Sequence, residues 1–86
     1  MKIMHFVYVL RSMKDGNLYV GRTENLKNRL SEHAKGQVES TKERRPLKFI
    51  YGEIGNNTKD AAHREIYLKT AWGKRYLKHR IKNDIA

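Results

Sequence analysis

The sequence predicts an α+β fold: a three-stranded antiparallel sheet flanked by helices, in the order β-β-α-β-α-α. Three observations point there. A β-branched and aromatic run at residues 5–11 is followed by Asp15-Gly16, a strong turn signal, and then by a second short apolar run. Two longer stretches, after Gly21 and after Asn57, repeat apolar residues at three- and four-residue intervals, the period of a helix lying on a core. The chain has 86 residues, which suits one domain with a single modest core and is too short for two.

The run His5 to Arg11, with Phe, Val, Tyr, Val and Leu in succession, reads as a strand buried on both faces and therefore central. Leu18 to Gly21 resumes strand character and closes a hairpin. A turn centred on Asp15-Gly16 opposes residues whose numbers sum to 31. Because that sum is odd, Tyr8 and Tyr19 point to one face of the sheet. Two phenols can then share a site, or both can be amphipathic core tyrosines.

Gly21 ends the second strand, Thr23 or Asn25 can cap the helix that follows, and Gly36 can terminate it. On this helix Asn25, Arg29 and His33 recur every four residues, so each advances by about 40° past a full turn and all three share a stripe. Leu26, Leu30 and Ala34 form the adjacent apolar stripe that holds the helix down. The polar stripe is either a solvated face or one wall of an anion site. Gln37 to Pro46 is a polar, basic loop in which Ser40, Thr41, Lys42, Arg44 and Arg45 are able to touch phosphate.

Leu47 to Ile54 is the third strand, with Pro46 placed where a strand begins without losing a ladder bond. Asn57 can cap a helix with Asp60 three residues on, and the pattern carries that helix from Thr58 to Trp72. Its apolar face contains Ala61, Leu68 and Trp72, and also Glu65. A carboxylate inside an apolar stripe requires a cation beside it, either a metal ion or a Lys or Arg. Gly73 interrupts the pattern, and a last helix follows with Leu77, Ile81 and Ile85 as its apolar positions.

There is no cysteine, which excludes disulfides and thiolate metal sites such as zinc fingers. No apolar run approaches a membrane span, and residues 1–10 lack the basic start and cleavage site of a secretory signal, so a cytoplasmic protein without a membrane partner is expected. The net charge of +10 favours a polyanion, and nucleic acid is the expected partner. Residues 1–40 hold seven Lys or Arg against four acids, whereas residues 41–86 hold twelve against five, which concentrates the basic surface toward the C-terminus. Lys74, Arg75 and Lys78 lie in a stretch from 74 to 82 that has five Lys or Arg and no acid. With Arg22 and the loop cations Lys42, Arg44 and Arg45, they are the candidate phosphate contacts.

Taken together, Tyr8 in a first strand, Tyr19-Val20-Gly21 in a second, Arg29 and His33 on the next helix and Glu65 on a later one resemble the GIY-YIG nuclease family, in its small stand-alone form. The ordered pattern Tyr-Val-Gly-x-Thr-x-Asn-x3-Arg-x3-His-x2-Gly over residues 19–36 carries the likeness. The first motif departs from the family, since Phe6-Val7-Tyr8 stands where Gly-Ile-Tyr is usual. Some relatives also place a second histidine where this chain has Ser40 and Thr41.

The resemblance implies hydrolysis of DNA phosphodiesters, in repair or recombination, with one Mg²⁺ or Mn²⁺ held by Glu65. Arg29 would hold the scissile phosphate. Tyr8 or Tyr19 would deprotonate or position the attacking water, and His33 would help carry the proton away. A phenol ordinarily ionises near pH 10, so such a base depends on nearby cations that favour the phenolate. Gly21 and Asn25 would be structural. The competing expectation, from size and charge alone, is a non-catalytic DNA- or RNA-binding accessory protein. Under either, a protein partner could supply substrate recognition.

Overall fold

The computed structural model describes the backbone of residues 3–85 and the side chains of residues 3–83. β1 (His5–Ser12) pairs on one side with β2 (Leu18–Thr23) and on the other with β3 (Leu47–Gly55), both antiparallel, so the sheet order is β2-β1-β3. The most apolar strand is thus central, and six of its eight residues are buried. Helix α1 (Leu26–Ala34) follows β2, a single 3-10 turn (Lys42–Arg44) precedes β3, and α2 (Thr58–Leu68), α3 (Ala71–Arg80) and the short α4 (Lys82–Ile85) complete the chain. The α+β class and the order of the principal elements are those expected from the sequence. No helix among the described residues is long and apolar enough to cross a membrane.

Alternation along the strands divides the sheet into two faces. Val7, Val9 and Val20 form one core with Ala61 and Leu68 of α2 and Leu77 of α3. Leu68 and Leu77 are wholly enclosed, and each such side chain contributes roughly 1.5–3 kcal/mol by leaving water. The pairing of β1 with β3 slips between Val9, opposite Tyr51, and Leu10, opposite Phe49. That bulge lets Ile50 and Tyr51 both pack toward the helices. The opposite face carries Tyr8 and Leu10 and receives α1.

Three expectations are corrected here. The hairpin register sums to 29, with Val9 opposite Val20 and Leu10 opposite Tyr19, because the connection is centred between Lys14 and Asp15, one residue before Asp15-Gly16. Ser12 ties the turn: its hydroxyl accepts from the amides of Lys14 and Asp15, and its own amide donates to Asn17. A slip of two residues preserves side-chain parity, so Tyr8 and Tyr19 still share a face.

The apolar stripe of α1 is shallower than expected. Leu26 and Leu30 are half-buried, Ala34 is exposed, and the helix's buried residue is His33.

The helix expected from Thr58 to Trp72 is two helices. Thr70 ends one and begins the other, since its hydroxyl donates to the Tyr67 carbonyl at 2.6 Å and accepts the Gly73 amide at 3.1 Å. Gly73 lies inside the first turn of α3 and does not interrupt a helix. A Cβ there would overlap the Tyr67 carbonyl and the Leu68 backbone, so glycine allows the two helices to meet closely. Trp72 leaves the apolar face and is 66% exposed. The side chain of Ile85, expected on the last apolar face, lies outside the described residues.

Candidate active site

The site forms where α1 crosses the edge of the sheet. Asn25 caps α1, its side chain accepting the Asn28 amide at 3.0 Å, and this sets the phase of the helix above β1 and β2. One turn and two turns later come Arg29, whose charge is felt at Tyr8, and His33, which meets the Tyr8 hydroxyl. His33 Nε2 lies 2.8 Å from Tyr8 Oη, and His33 Nδ1 lies 2.7 Å from the hydroxyl of Thr41. Tyr19 closes the group, its ring 6.3 Å from that of Tyr8 and 5.2 Å from the imidazole. Gly21, directly opposite Tyr8 in the hairpin, leaves the space the phenol occupies, and a Cβ there would overlap the Tyr8 hydroxyl.

Burial decides the chemistry of these groups. Tyr8 and His33 are each 1% exposed. Burial pushes the Tyr8 phenol above its ordinary value, only partly opposed by the hydrogen bond from Arg29. Desolvation outweighs Arg29 at Tyr8, which favours the neutral phenol. His33 is pushed down, first by burial and then by the charge of Arg29, so it is a neutral imidazole. Arg29 is held firmly protonated by its 2.9 Å bond to Glu32 and by Tyr8. A guanidinium has five N–H donors, so two such bonds leave donors for an anion.

Glu65 approaches from α2, on the far side of the edge strand, and its negative charge is felt at Tyr8. The cation its position demanded is present twice: Arg22 Nε lies 3.3 Å from one carboxylate oxygen and Lys69 Nζ lies 3.0 Å from the other. Lys69, the more exposed of the two, also lines a cleft of about 270 Å³ with Tyr19, Leu68 and Lys74. Tyr19, on the edge strand, is partly exposed, whereas Tyr8 is buried.

Among the described residues no three His, Asp or Glu side chains converge as a metal cluster. A lone carboxylate does not suit zinc, which takes three or four protein ligands. It does fit Mg²⁺ or Mn²⁺, which prefer oxygen, retain water and are often held by one carboxylate together with substrate phosphates. Arg22 and Lys69 balance the carboxylate in the meantime.

The other basic residues divide into two sets. Arg44 pairs with Asp15 at 3.4 Å, Lys42 with Glu39 at 3.1 Å, and Arg45 donates to the Lys42 and Ala34 carbonyls. These loop cations are engaged within the fold, as is Arg22. By contrast Lys74 and Lys78 line a groove of about 310 Å³ beside Gly16, Asn17 and Leu18, continuous through Leu18 and Lys74 with the cleft at Tyr19. Arg75 lies 4.9 Å over the exposed ring of Trp72. Sequence reasoning passed over Glu32 and Lys69, although their spacings to Arg29 (i, i+3) and Glu65 (i, i+4) are standard ion-pair signals.

A sheet of order β2-β1-β3 with two tyrosines, an arginine and a histidine gathered at one edge and a glutamate across it defines a GIY-YIG type of domain. The profile of the GIY-YIG catalytic domain matches residues 4–79, and the chain belongs to that family. It is similar to UPF0213 protein SSP2268 of Staphylococcus saprophyticus, 35% identical over 75 residues that cover 86% of this chain and 90% of that protein. It is also similar to UPF0213 protein CPE1444 of Clostridium perfringens, 40% identical over 67 residues covering 77% and 71%. The solution NMR structure of UPF0213 protein BH0048 from Bacillus halodurans superposes with a TM-score of 0.54 at 28% identity, covering 86% of this chain and 81% of that one.

Proposed function

We propose that this protein is an endonuclease that hydrolyses DNA phosphodiester bonds with one divalent metal ion. The observation that carries this reading is the cluster of Tyr8, Tyr19 and His33, with the charges of Arg29 and Glu65 both felt at Tyr8. Arg29 binds the scissile phosphate with the N–H groups that Glu32 and Tyr8 leave over, and opposes the charge that builds as the nucleophile adds. The partly exposed Tyr19 hydroxyl orients the attacking water as the new oxygen–phosphorus bond forms, the bond to the departing sugar oxygen breaks and the water's proton passes through solvent to that oxygen. Tyr8 and His33 hold Arg29 from behind and keep bulk water out. Glu65 would hold Mg²⁺ or Mn²⁺, which when bound withdraws charge from the phosphate oxygens.

The nucleic acid lies along the groove from Tyr19 past Lys74 to Lys78. These contacts are to phosphates and carry no base sequence, so recognition rests on nucleic-acid shape or on a protein partner.

The test is cleavage of supercoiled, branched and single-stranded DNA by the wild type, Arg29→Ala and Glu65→Ala with Mg²⁺ or Mn²⁺. Cutting by the wild type that both variants lose supports the reading, and equal cutting by all three refutes it. A second reading, a metal-independent DNA or RNA binder, is favoured by the acid-free cationic surface of α3. It predicts salt-sensitive binding with no cleavage under any of these conditions.

A further inference from the structure

We propose that Trp72 is a stacking platform for an unpaired base of bound DNA, reached along a ridge of cations that begins at the groove of Lys74 and Lys78. A helix turns about 100° per residue, so Trp72, Arg75 and Lys78, spaced by three, form one ridge across α3. Gly73 and Leu77 are the buried positions of that helix, and the ridge lies on the side away from them, with all three of its residues exposed. Lys78 lines the groove, Arg75 follows, and Trp72 stands at the far end. Thr70 caps the helix and Gly73 presses its first turn against α2, which turns Trp72 outward. At 66% it is the most exposed aromatic residue among those described.

A second pairing of arginine with aromatic rings shows what distinguishes this one. Arg64 lies 5.3 Å over Tyr67 and 4.6 Å over Tyr76, but Glu53 clasps it with two bonds of 2.8 Å, so its charge is balanced within the fold. Arg75 lies 4.9 Å over Trp72 and, like Lys74 and Lys78, pairs with no carboxylate among the described residues. A cation on one face of an indole leaves the other face for a second flat ring, and a guanidinium has in-plane donors for a phosphate. A nucleotide supplies both partners, its phosphate to Arg75 and its base to Trp72. In a paired duplex each base is already stacked on its neighbours and shows only its edge in the grooves, so the base that reaches Trp72 is an unpaired one. This inference rests on the DNA binding proposed above, and not on cleavage.

Trp72 is the chain's one tryptophan, so its fluorescence reports on this ring alone. The probes are an oligothymidylate of about a dozen nucleotides and a blunt duplex of the same length, in chelator without metal, with binding read separately by anisotropy of end-labelled DNA. The single strand is expected to quench the tryptophan in step with binding, and the duplex to leave its emission nearly unchanged. Trp72→Ala is expected to weaken binding of the single strand about 5- to 150-fold and of the duplex less than about twofold. The salt dependence of both should be unchanged, since stacking releases no counterions. A single strand that binds without quenching overturns the proposal while DNA binding stands, and no variant has to fold for that result. Equal losses on the two DNAs in Trp72→Ala, or an altered salt slope, overturn it as well. If neither DNA binds, the reading of α3 as a nucleic-acid surface fails and this proposal fails with it. If the single strand quenches Trp72 but the metal-loaded protein cuts no DNA, only the endonuclease reading fails and the stacking role stands.

Discussion

Gly21→Ala tests how tightly the two tyrosine strands are matched. The added Cβ would overlap the Tyr8 hydroxyl and lie 2.5 Å from Tyr8 Cζ and 3.0 Å from Tyr19 Cε2, where ordinary contact begins near 3.4 Å. The backbone at Gly21 does not lie in the left-handed region, so the cost is steric. Tyr8 must retreat by roughly 1 Å, and overpacking of that size costs about 1–3 kcal/mol. The same shift stretches the 2.8 Å bond to His33 beyond useful length, a further loss of about 1 kcal/mol. Removing a glycine from the unfolded chain returns about 0.5 kcal/mol.

The net expectation is a destabilisation of about 1.5–3.5 kcal/mol, or a fall in Tm of about 6–28 °C for a domain of this size, measured by circular dichroism. Because the hydroxyl is the nearest obstacle, the same substitution in a Tyr8→Phe background should cost at least about 1 kcal/mol less. Equal cost in both backgrounds, or a cost below about 0.5 kcal/mol in the wild type, refutes the reasoning.

Other expectations follow from single features. His33 ionises below its ordinary value, so the unfolded chain binds the proton first: stability is full above about pH 6.5 and is lost as pH falls below it toward the folded value. Tm should accordingly decline from pH 7 to pH 5, and His33→Asn should flatten that decline. Thr70→Ala removes the hydroxyl shared by α2 and α3 and should lower stability to chemical denaturation by about 1 kcal/mol. The double variant Lys74→Ala, Lys78→Ala should reduce the slope of log binding constant against log salt by about 1.4–1.8, from the counterions two phosphates release. Arg44→Ala, whose partner is Asp15, should leave that slope unchanged.

Much of this site is legible from spacing alone. A four-residue interval on a helix is a geometric statement, and it places Arg29 where its charge is felt at Tyr8 and His33 where it meets that hydroxyl. Strand parity behaves the same way and survives a two-residue error in the hairpin, because Tyr8 and Tyr19 depend on odd against even and not on where the turn is centred. What pattern does not convey is depth. Leu26 and Leu30 are the apolar residues of α1, yet His33 goes deepest, since a histidine with a hydroxyl on each side can be enclosed without an unpaired polar atom.

The division at Thr70 was hidden for a related reason. Apolar spacing continues smoothly from Leu68 to Trp72, and only the threonine three residues before a glycine marks the cap. The roles of the basic loop were also out of reach. Whether Arg44 meets a phosphate or Asp15 depends on a hairpin some 30 residues away in the chain.

The central claim is that Arg29 and Glu65 act on one phosphate from opposite sides of the sheet edge. A crystal structure of the Tyr19→Phe variant, slowed in cleavage, with an oligonucleotide and Mn²⁺ would test it most directly through the anomalous signal of manganese. The account predicts one Mn²⁺ bonded to a Glu65 carboxylate oxygen and to a phosphate that Arg29 also contacts, with Lys69 displaced from the carboxylate. A phosphate bound at Lys74 and Lys78 while Glu65 stays clasped by Arg22 and Lys69, with no manganese beside it, would contradict it.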